Sequence, residues 1–516
     1  MPRHFNTAGP CRPDDHYMLP ASARLPHVMS LIDTKTYFIL HAPRQTGKTT
    51  ALLSLATELT ASGRYVAVLM SLEVGAAFPD DPGVAERAIL SSWRDAALAQ
   101  LPEALQPPEW PADDPGRRIG ATLRAWAQVA PRPLVTFLDE IDALENNTLI
   151  SILRQLRDGY RNRPRFFPWS LALIGVRDVR DYKVASGGGG RLGTASPFNI
   201  KAESLTLANF TAGEVATLYR QHTDDTGQAF MPDAVDRAFD LTQGQPWLVN
   251  ALARQAVEVL VRDRARPVTR TDIDAAREIL IQRQDTHLDS LTAVLREPRV
   301  RRVIEPMLAG TTLDDVPQDD IRFVVDLGLC RRDVGGVLVI ANPIYAAIVP
   351  RVLAEAAIAS LAMVRPTRLT AEGRVDVDRL LEAFLAFWRQ YGQPLLRAAP
   401  YHEVAPQTVM LAFLHRVANA GGTLVPEYAI GMGRIDLYLQ YGQDVFAFEL
   451  KVWRDGEVDP QPRGLAQLDG YLAGLGLATG WLVIFDQRGG LPPIAERTSA
   501  QEAVTPGGRT VAVVRG

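Results

Sequence analysis

The chain has 516 residues, and at roughly 100 to 200 residues per domain this predicts three or four domains, each large enough to bury its own core. Hydrophobic residues make up 47% and charged residues 22%, which excludes disorder, a collagen-like repeat and a coiled-coil rod. The formal net charge of −4 excludes a globally basic surface that coats nucleic acid, so any nucleic-acid site has to be local.

No apolar run approaches the roughly 18 residues that cross a bilayer, and Met1 to Pro10 lack the apolar core of a signal peptide. A cytoplasmic protein without membrane association is therefore expected. Cys11 and Cys330 stand alone, with no CxxC or Cys/His spacing nearby, which gives no support to a zinc site or a disulfide framework.

In chain order, Tyr37 to Ala42 (YFILHA) reads as a short buried strand, a loop follows, and Thr49 to Ala61 carries helical periodicity that stops at Ser62-Gly63. Val66 to Leu72, Leu134 to Leu138 and Leu171 to Val176 are further continuous apolar runs. Such runs alternating with helices predict a parallel α/β sheet covered on both faces. From Thr211 to about Gln284 the pattern is helical, opening on Thr211-Ala-Gly-Glu214, an N-cap with its reciprocal glutamate. Arg299 to Val352 reads as two helices and a hairpin turning at Asp333 to Gly336, the pattern of a winged helix. Ala354 to Tyr391 is mainly helical, interrupted near Pro366, and a new α/β pattern begins near Pro400.

Ala42-Pro43-Arg44-Gln45-Thr46-Gly47-Lys48-Thr49 matches the phosphate loop GxxxxGK[ST], with alanine in place of the first glycine. A strand before it and a helix after it let backbone N–H groups cradle phosphates, with Lys48 at the β/γ oxygens and Thr49 on Mg²⁺. The nucleotide-binding residues expected are Pro43, Arg44, Gln45, Thr46, Gly47, Lys48, Thr49 and Thr50. Leu134 to Asp142 (LVTFLDEID) delivers two carboxylates to the end of an apolar strand. Asp139 then serves the magnesium and Glu140 polarises the attacking water. Arg177, at the polar exit of LALIGV, is a donor to the γ-phosphate or equally a structural ion-pair partner, and Arg191 in SGGGGRLG is a second arginine candidate.

These motifs resemble the AAA-like and STAND-type P-loop ATPases of bacteria and archaea over roughly Phe5 to Ile340. Ser196-Pro-Phe-Asn-Ile200 and Gly244-Gln-Pro246-Trp-Leu-Val-Asn250 also look like blocks of that family. The resemblance implies Pro246 near the nucleotide. The residues alone equally allow it to do no more than begin a helix, where its missing N–H is harmless.

A second constellation lies near the C-terminus. Gly431-Met-Gly-Arg-Ile-Asp436 opens one strand, and Val445 to Lys451 forms another whose period of two puts Glu449 and Lys451 on one face. Antiparallel pairing would set Asp436 beside them, giving two carboxylates for a divalent cation and a lysine for developing negative charge. Gln467 and Tyr471 lie one helical turn apart downstream. Together they resemble the PD-(D/E)xK nuclease superfamily, with Gln467-x-x-x-Tyr471 similar to the RecB-like extension, over roughly Ala399 to Asp486. The resemblance implies Asp436 and Glu449 as metal ligands, and Glu403 as the helical acid, with Glu427 competing for that role. The basic run Arg296 to Arg302 either grips phosphates or forms a solvated helix face.

The expectation is a multidomain α/β protein. Its parts are a P-loop NTPase core with a parallel sheet at 1–205, a helical lid at 206–290, a winged-helix-like domain at 291–355, a helical linker at 356–398 and a PD-(D/E)xK nuclease-like domain at 399–516. By resemblance it binds and hydrolyses ATP with Mg²⁺ and cleaves DNA with Mg²⁺ or Mn²⁺ under nucleotide control, in bacterial defence. A homo-oligomer and a protein trigger are further implied partners. The alternative is a STAND-type signalling switch whose C-terminal domain binds nucleic acid or a partner without cutting.

Overall fold

The computed structural model describes residues 3–20, 24–176, 203–283, 293–309, 313, 315–333, 335–358, 376–398, 410, 413–414, 422–430, 433–441 and 443–516. The chain forms two compact units, residues 1–283 with 324–343 and residues 284–323 with 344–516.

The first unit is built from α1 (Pro26–Asp33), β1 (Tyr37–His41), α2 (Lys48–Ala61), β2 (Val66–Ser71), α3 (Pro82–Gln100), α4 (Arg118–Val129), β3 (Leu134–Asp139), α5 (Asn146–Tyr160), β4 (Ser170–Gly175) and β5 (Glu203–Thr206). The strands form one five-stranded sheet in the order β2-β3-β4-β1-β5, every pair parallel. Alternate residues of the apolar runs supply the two faces. Tyr37, Ile39, Val66 and Val68 pack with Trp93 of α3, Trp126 of α4 and Ile152 of α5. Phe38, Leu40, Ala67, Leu69, Val135 and Phe137 pack with Leu52, Leu55 and Leu59 of α2 and with Val28 and Ile32 of α1. Both faces are thus covered, which accounts for the absence of polar alternation in these strands.

Four helices follow: α6 (Ala212–Thr226), α7 (Pro232–Thr242), α8 (Pro246–Gln255) and α9 (Arg270–Arg283). The capping box read at Thr211 is present, with Thr211 Oγ1 accepting from the Glu214 amide at 3.2 Å and Glu214 Oε2 accepting from the Thr211 amide at 2.7 Å. Next come α10 (Pro298–Ala309), α11 (Gln318–Asp326) and the expected hairpin β6 (Cys330–Arg332) and β7 (Leu338–Ile340). Asp333 Oδ1 holds its turn by accepting from the Gly335 and Val337 amides, each at 2.9 Å. Of the basic run, Arg299, Arg301 and Arg302 lie on α10 and are paired within the chain. Arg299 and Arg302 both bond Asp320, at 2.7 and 2.6 Å, and Arg301 bonds Glu305 at 2.6 Å.

The second unit continues with α12 (Pro343–Ile358), α13 (Val377–Ala398), β8 (Gly422–Ile430), β9 (Gly433–Tyr441), β10 (Asp444–Trp453), α14 (Gln461–Leu475), β11 (Trp481–Asp486), α15 (Ile494–Arg497), β12 (Ser499–Val504) and β13 (Thr510–Arg515). Its six-stranded sheet runs β12-β13-β11-β10-β9-β8. β8, β9 and β10 form an antiparallel meander, β10, β11 and β13 are parallel, and β12 is antiparallel. Phe448 and Leu450 of β10 face Leu380, Phe384 and Trp388 of α13. Ala447 faces the other way, into a cluster with Leu468 and Leu472 of α14. The period-two pleat then assigns Glu449 and Lys451 to the α14 side. Among the described residues, no helix is long and apolar enough to cross a membrane.

Candidate functional site

The loop between β1 and α2 owes its shape to two residues in the left-handed region, Gln45 (φ 60°) and Gly47 (φ 82°). Alternation of this kind makes a nest in which backbone N–H groups converge. α2 begins at Lys48 with no side-chain cap on its first amides, and helix N-termini of this sort bind anions. Thr46 is buried, and its hydroxyl closes the loop onto the Pro43 carbonyl at 2.9 Å. Lys48 Nζ donates to the carbonyls of Ala42 (2.7 Å) and Pro43 (2.8 Å). Burial pushes its pKa down, against the opposing pull of Asp139 and Asp142.

The other half of the site is delivered by β3. Thr49 Oγ1 donates to Asp139 Oδ2 at 2.9 Å, and the Glu140 amide donates to Asp139 Oδ1 at 3.0 Å. A hydroxyl and a carboxylate in direct contact, beside an uncapped helix N-terminus and a lysine, are the oxygen donor set that Mg²⁺ takes together with phosphates. Asp139 is buried, and that burial raises its pKa despite the bond from Thr49. Glu140 stands at φ 60°, a backbone position that costs a non-glycine residue energy. Burial, and then the neighbouring Glu73 carboxylate, raise its pKa, while Ser71 Oγ approaches Glu140 Oε2 at 3.4 Å.

The remaining loop residues have distinct places. Pro43 packs against Gly328, where a Cβ would lie 2.7 Å from the proline's Cβ. Arg44 is exposed, and Thr50 Oγ1 accepts from the Cys11 amide at 3.0 Å. Arg177, Arg191 and Ser196 to Ile200 lie outside the described residues.

Pro246 is the first residue of α8, and it is Gln245 that reaches the loop, with Nε2 donating to the Gln45 carbonyl at 3.4 Å. Gln245 Oε1 also caps α8 by accepting from the Leu248 amide at 2.6 Å. Sequence reading missed Gln245, Ser71, Glu73 and Arg24, whose guanidinium bonds the Thr46 carbonyl at 3.2 Å. Of these, only Gln245 had a signal, its position just before a helix-initiating proline.

In the second unit the β9–β10 register pairs Phe448 with Leu437, and one further step sets Asp436 beside Glu449. Asp436 Oδ2 accepts from the Leu450 amide at 2.7 Å, and Lys451 Nζ donates to Glu449 Oε1 at 2.5 Å. Glu449 is 2% exposed. Burial, and then Asp436, raise its pKa against the pull of Lys451 and of Arg463 on α14, a residue sequence reading did not single out. Glu449 Oε2 and Gln467 Oε1 are both buried without a hydrogen-bond partner. Orphaned oxygens of this type are costly in a folded chain and are the hard donors a divalent cation takes, so the residues fit such an ion. Tyr471, like Tyr438 and Trp453, packs against the cluster formed by Ala447, Leu468 and Leu472. Glu403 lies outside the described residues, and Glu427 falls on β8. Among the described residues no group of three or more His, Cys, Asp or Glu side chains comes together as a metal cluster.

A parallel α/β sheet with a phosphate loop after its β1 strand defines the fold of a P-loop nucleotide-binding domain. No family model and no curated protein matches the chain. Among solved structures it is similar to a Walker-type ATPase of Pyrococcus abyssi at 11% identity and a TM-score of 0.48, over 67% of this chain and 99% of that one. It is also similar to the ORC2 protein of Aeropyrum pernix (12%, TM-score 0.40, 66% and 94%). A third likeness is to the RuvB Holliday junction branch migration motor of Thermotoga maritima (14%, TM-score 0.33, 62% and 89%).

Proposed function

We propose that the chain binds and hydrolyses ATP at the β1–α2 loop and that its second unit cleaves DNA phosphodiester bonds under control of that nucleotide. The observation that carries the first half is the contact of Thr49 Oγ1 with Asp139 Oδ2 at 2.9 Å beside Lys48. It brings the two halves of a phosphate-and-magnesium site together from segments 90 residues apart.

The loop amides and Lys48 hold the phosphates, and Thr49 and Asp139 hold Mg²⁺, which neutralises charge on the phosphate oxygens. Glu140 orients water and accepts its proton, and Ser71 steadies that carboxylate. In the second unit Asp436 and Glu449 hold Mg²⁺ or Mn²⁺, and Lys451 stabilises the charge that develops on the scissile phosphate. Gln467 and Tyr471 line the same side of the sheet. Bacterial defence against foreign DNA, a cytoplasmic location, assembly with further copies of the chain and activation by a protein trigger complete the proposal; they follow from the resemblances alone.

The test is cleavage of plasmid and linear DNA by the full chain with Mg²⁺ or Mn²⁺, with and without ATP, alongside Lys48→Ala and the double variant Glu449→Ala/Lys451→Ala. Cutting lost in the double variant and altered by Lys48→Ala supports the whole reading. ATP hydrolysis with no cutting under any condition removes the nuclease half and leaves a nucleotide switch whose second unit binds without cleaving.

A further inference from the structure

Arg24 lies 22 residues before Thr46 in the chain, in a stretch with no motif, yet its guanidinium reaches the phosphate loop. Nη1 donates to the Thr46 carbonyl at 3.2 Å and Nη2 to the Ala208 carbonyl at 2.7 Å. The guanidinium carbon stands 4.7 Å from the centre of the Phe210 ring. No carboxylate pairs with Arg24 among the described residues, and Glu214 acts on it only at longer range while engaged in its own cap. Arg24 is half-buried, and desolvation pushes its pKa down to about 10, as expected of a cation with no ion-pair partner beside it.

The contacts close into a ring. The Phe210 amide donates to the Gly244 carbonyl at 2.8 Å. Gly244 (φ +71°) lies so close that a Cβ there would sit 1.8 Å from the Phe210 carbonyl oxygen. Gln245 follows, capping α8 and returning to the Gln45 carbonyl. Two consecutive loop carbonyls, those of Gln45 and Thr46, are therefore held by the two ends of a path that runs through Arg24, Phe210, Gly244 and Gln245.

We propose that Arg24 is a positioning residue through which occupancy of the phosphate loop is transmitted to the start of α8. A planar guanidinium holds its donors in a fixed fork and stacks on the Phe210 ring while it bonds the two carbonyls, which the flexible ammonium of a lysine does not reproduce. Phosphate bound by the loop amides supplies the missing anion and polarises the carbonyls on the opposite side of the same peptides. Both effects tighten the Arg24 bonds and with them the ring. The inference rests on the nucleotide-binding reading above.

The experiment is hydrogen–deuterium exchange on the full chain with and without a non-hydrolysable ATP analogue and Mg²⁺, alongside direct titration of the same analogue. Arg24→Met keeps the apolar stem, Arg24→Lys keeps the charge without the fork, and Lys48→Ala is the control for loop occupancy. In the wild type the analogue protects amides both at the start of α2 and in α8. Arg24→Met binds about tenfold more weakly, the worth of one charge-assisted hydrogen bond, and at saturation protects the start of α2 but not α8. Arg24→Lys binds more tightly than Arg24→Met and also fails to protect α8, and it decides the question if the methionine variant does not fold. Equal analogue-induced protection of α8 in wild type and both variants overturns the coupling while leaving nucleotide binding standing. A uniform loss of protection that the analogue does not change overturns it as well, since that is a purely structural role. Absence of analogue binding by the wild type overturns the nucleotide reading and this inference with it.

Discussion

Gly244→Ala is the sharpest probe of how tightly the helical part grips the phosphate loop. The added methyl would lie 1.8 Å from the Phe210 carbonyl oxygen and 2.8 Å from its carbon. Both are backbone atoms, so no side-chain rotation relieves the overlap, and the two segments have to separate by roughly 1 Å before contact becomes ordinary. Separation costs the 2.8 Å bond from the Phe210 amide to Gly244, about 1 kcal/mol net. The left-handed backbone at φ +71° costs an alanine a further 1–2 kcal/mol, roughly. The sum is about 2–3 kcal/mol, which for a unit the size of the first lowers the melting temperature by roughly 3–5 °C.

Calorimetry of the full chain reads that transition, and Gly213→Ala supplies the contrast. Gly213 lies within α6 with nothing inside 4 Å of its would-be Cβ, so alanine there is neutral or stabilises by up to about 1 kcal/mol. Gly244→Ala melting with the wild type, or the two alanines behaving alike, refutes the reasoning.

Three further outcomes are expected. Lys48→Ala abolishes ATP binding while the apo melting temperature stays within a few degrees, because the residue's bonds are to two carbonyls of its own loop and tie no distant segments together; unchanged titration of ATP defeats this. Glu140→Gln retains ATP binding and loses hydrolysis by about 100-fold or more, so steady-state turnover and equilibrium binding separate; turnover near wild type removes Glu140 from the chemistry. Asp272→Asn tests a cap: burial opposes the Asp272 charge, but bonds from the Thr269 hydroxyl and amide and from Arg266 outweigh it and hold the pKa below the ordinary value. A depressed carboxylate stabilises above its unfolded pKa and loses that contribution as pH falls through the folded one. The variant is therefore less stable by about 1 kcal/mol at pH 7 and approaches wild type in strong acid; a gap independent of pH from 7 down to 2 contradicts the assignment.

The parallel sheet was legible in the sequence because its strands are buried on both faces, and unbroken runs such as YFILH and VAVLM have few other uses. The meeting of Thr49 with Asp139 in the proposed nucleotide site was equally legible, since strand, loop and helix occur in contiguous sequence and Asp139 ends an apolar run. Glu449 and Lys451 were readable from a period of two, and the pairing with Asp436 needed only one antiparallel ladder. What escaped were contacts between distant segments. Arg24, Gln245 and Arg463 act through positions set by tertiary packing, and no local pattern distinguishes them from any other arginine or glutamine. Pro246 begins a helix, one of the two roles its local pattern allowed, and the neighbouring Gln245 makes a contact with the loop that the pattern did not show.

The arrangement of Arg299 and Arg302 around Asp320 bears on how any bound DNA will respond to ions. A protein that neutralises phosphates releases condensed counter-ions, and each such contact steepens the fall of affinity with salt. Asp320 is 5% exposed and already serves both guanidinium groups, while Arg301 is committed to Glu305. The three arginines of α10 are thus engaged by two carboxylates of the chain, which leaves this helix little charge with which to neutralise phosphates and displace the counter-ions condensed on DNA. Replacing these arginines should leave the slope of log K against log salt unchanged for DNA bound elsewhere on the molecule.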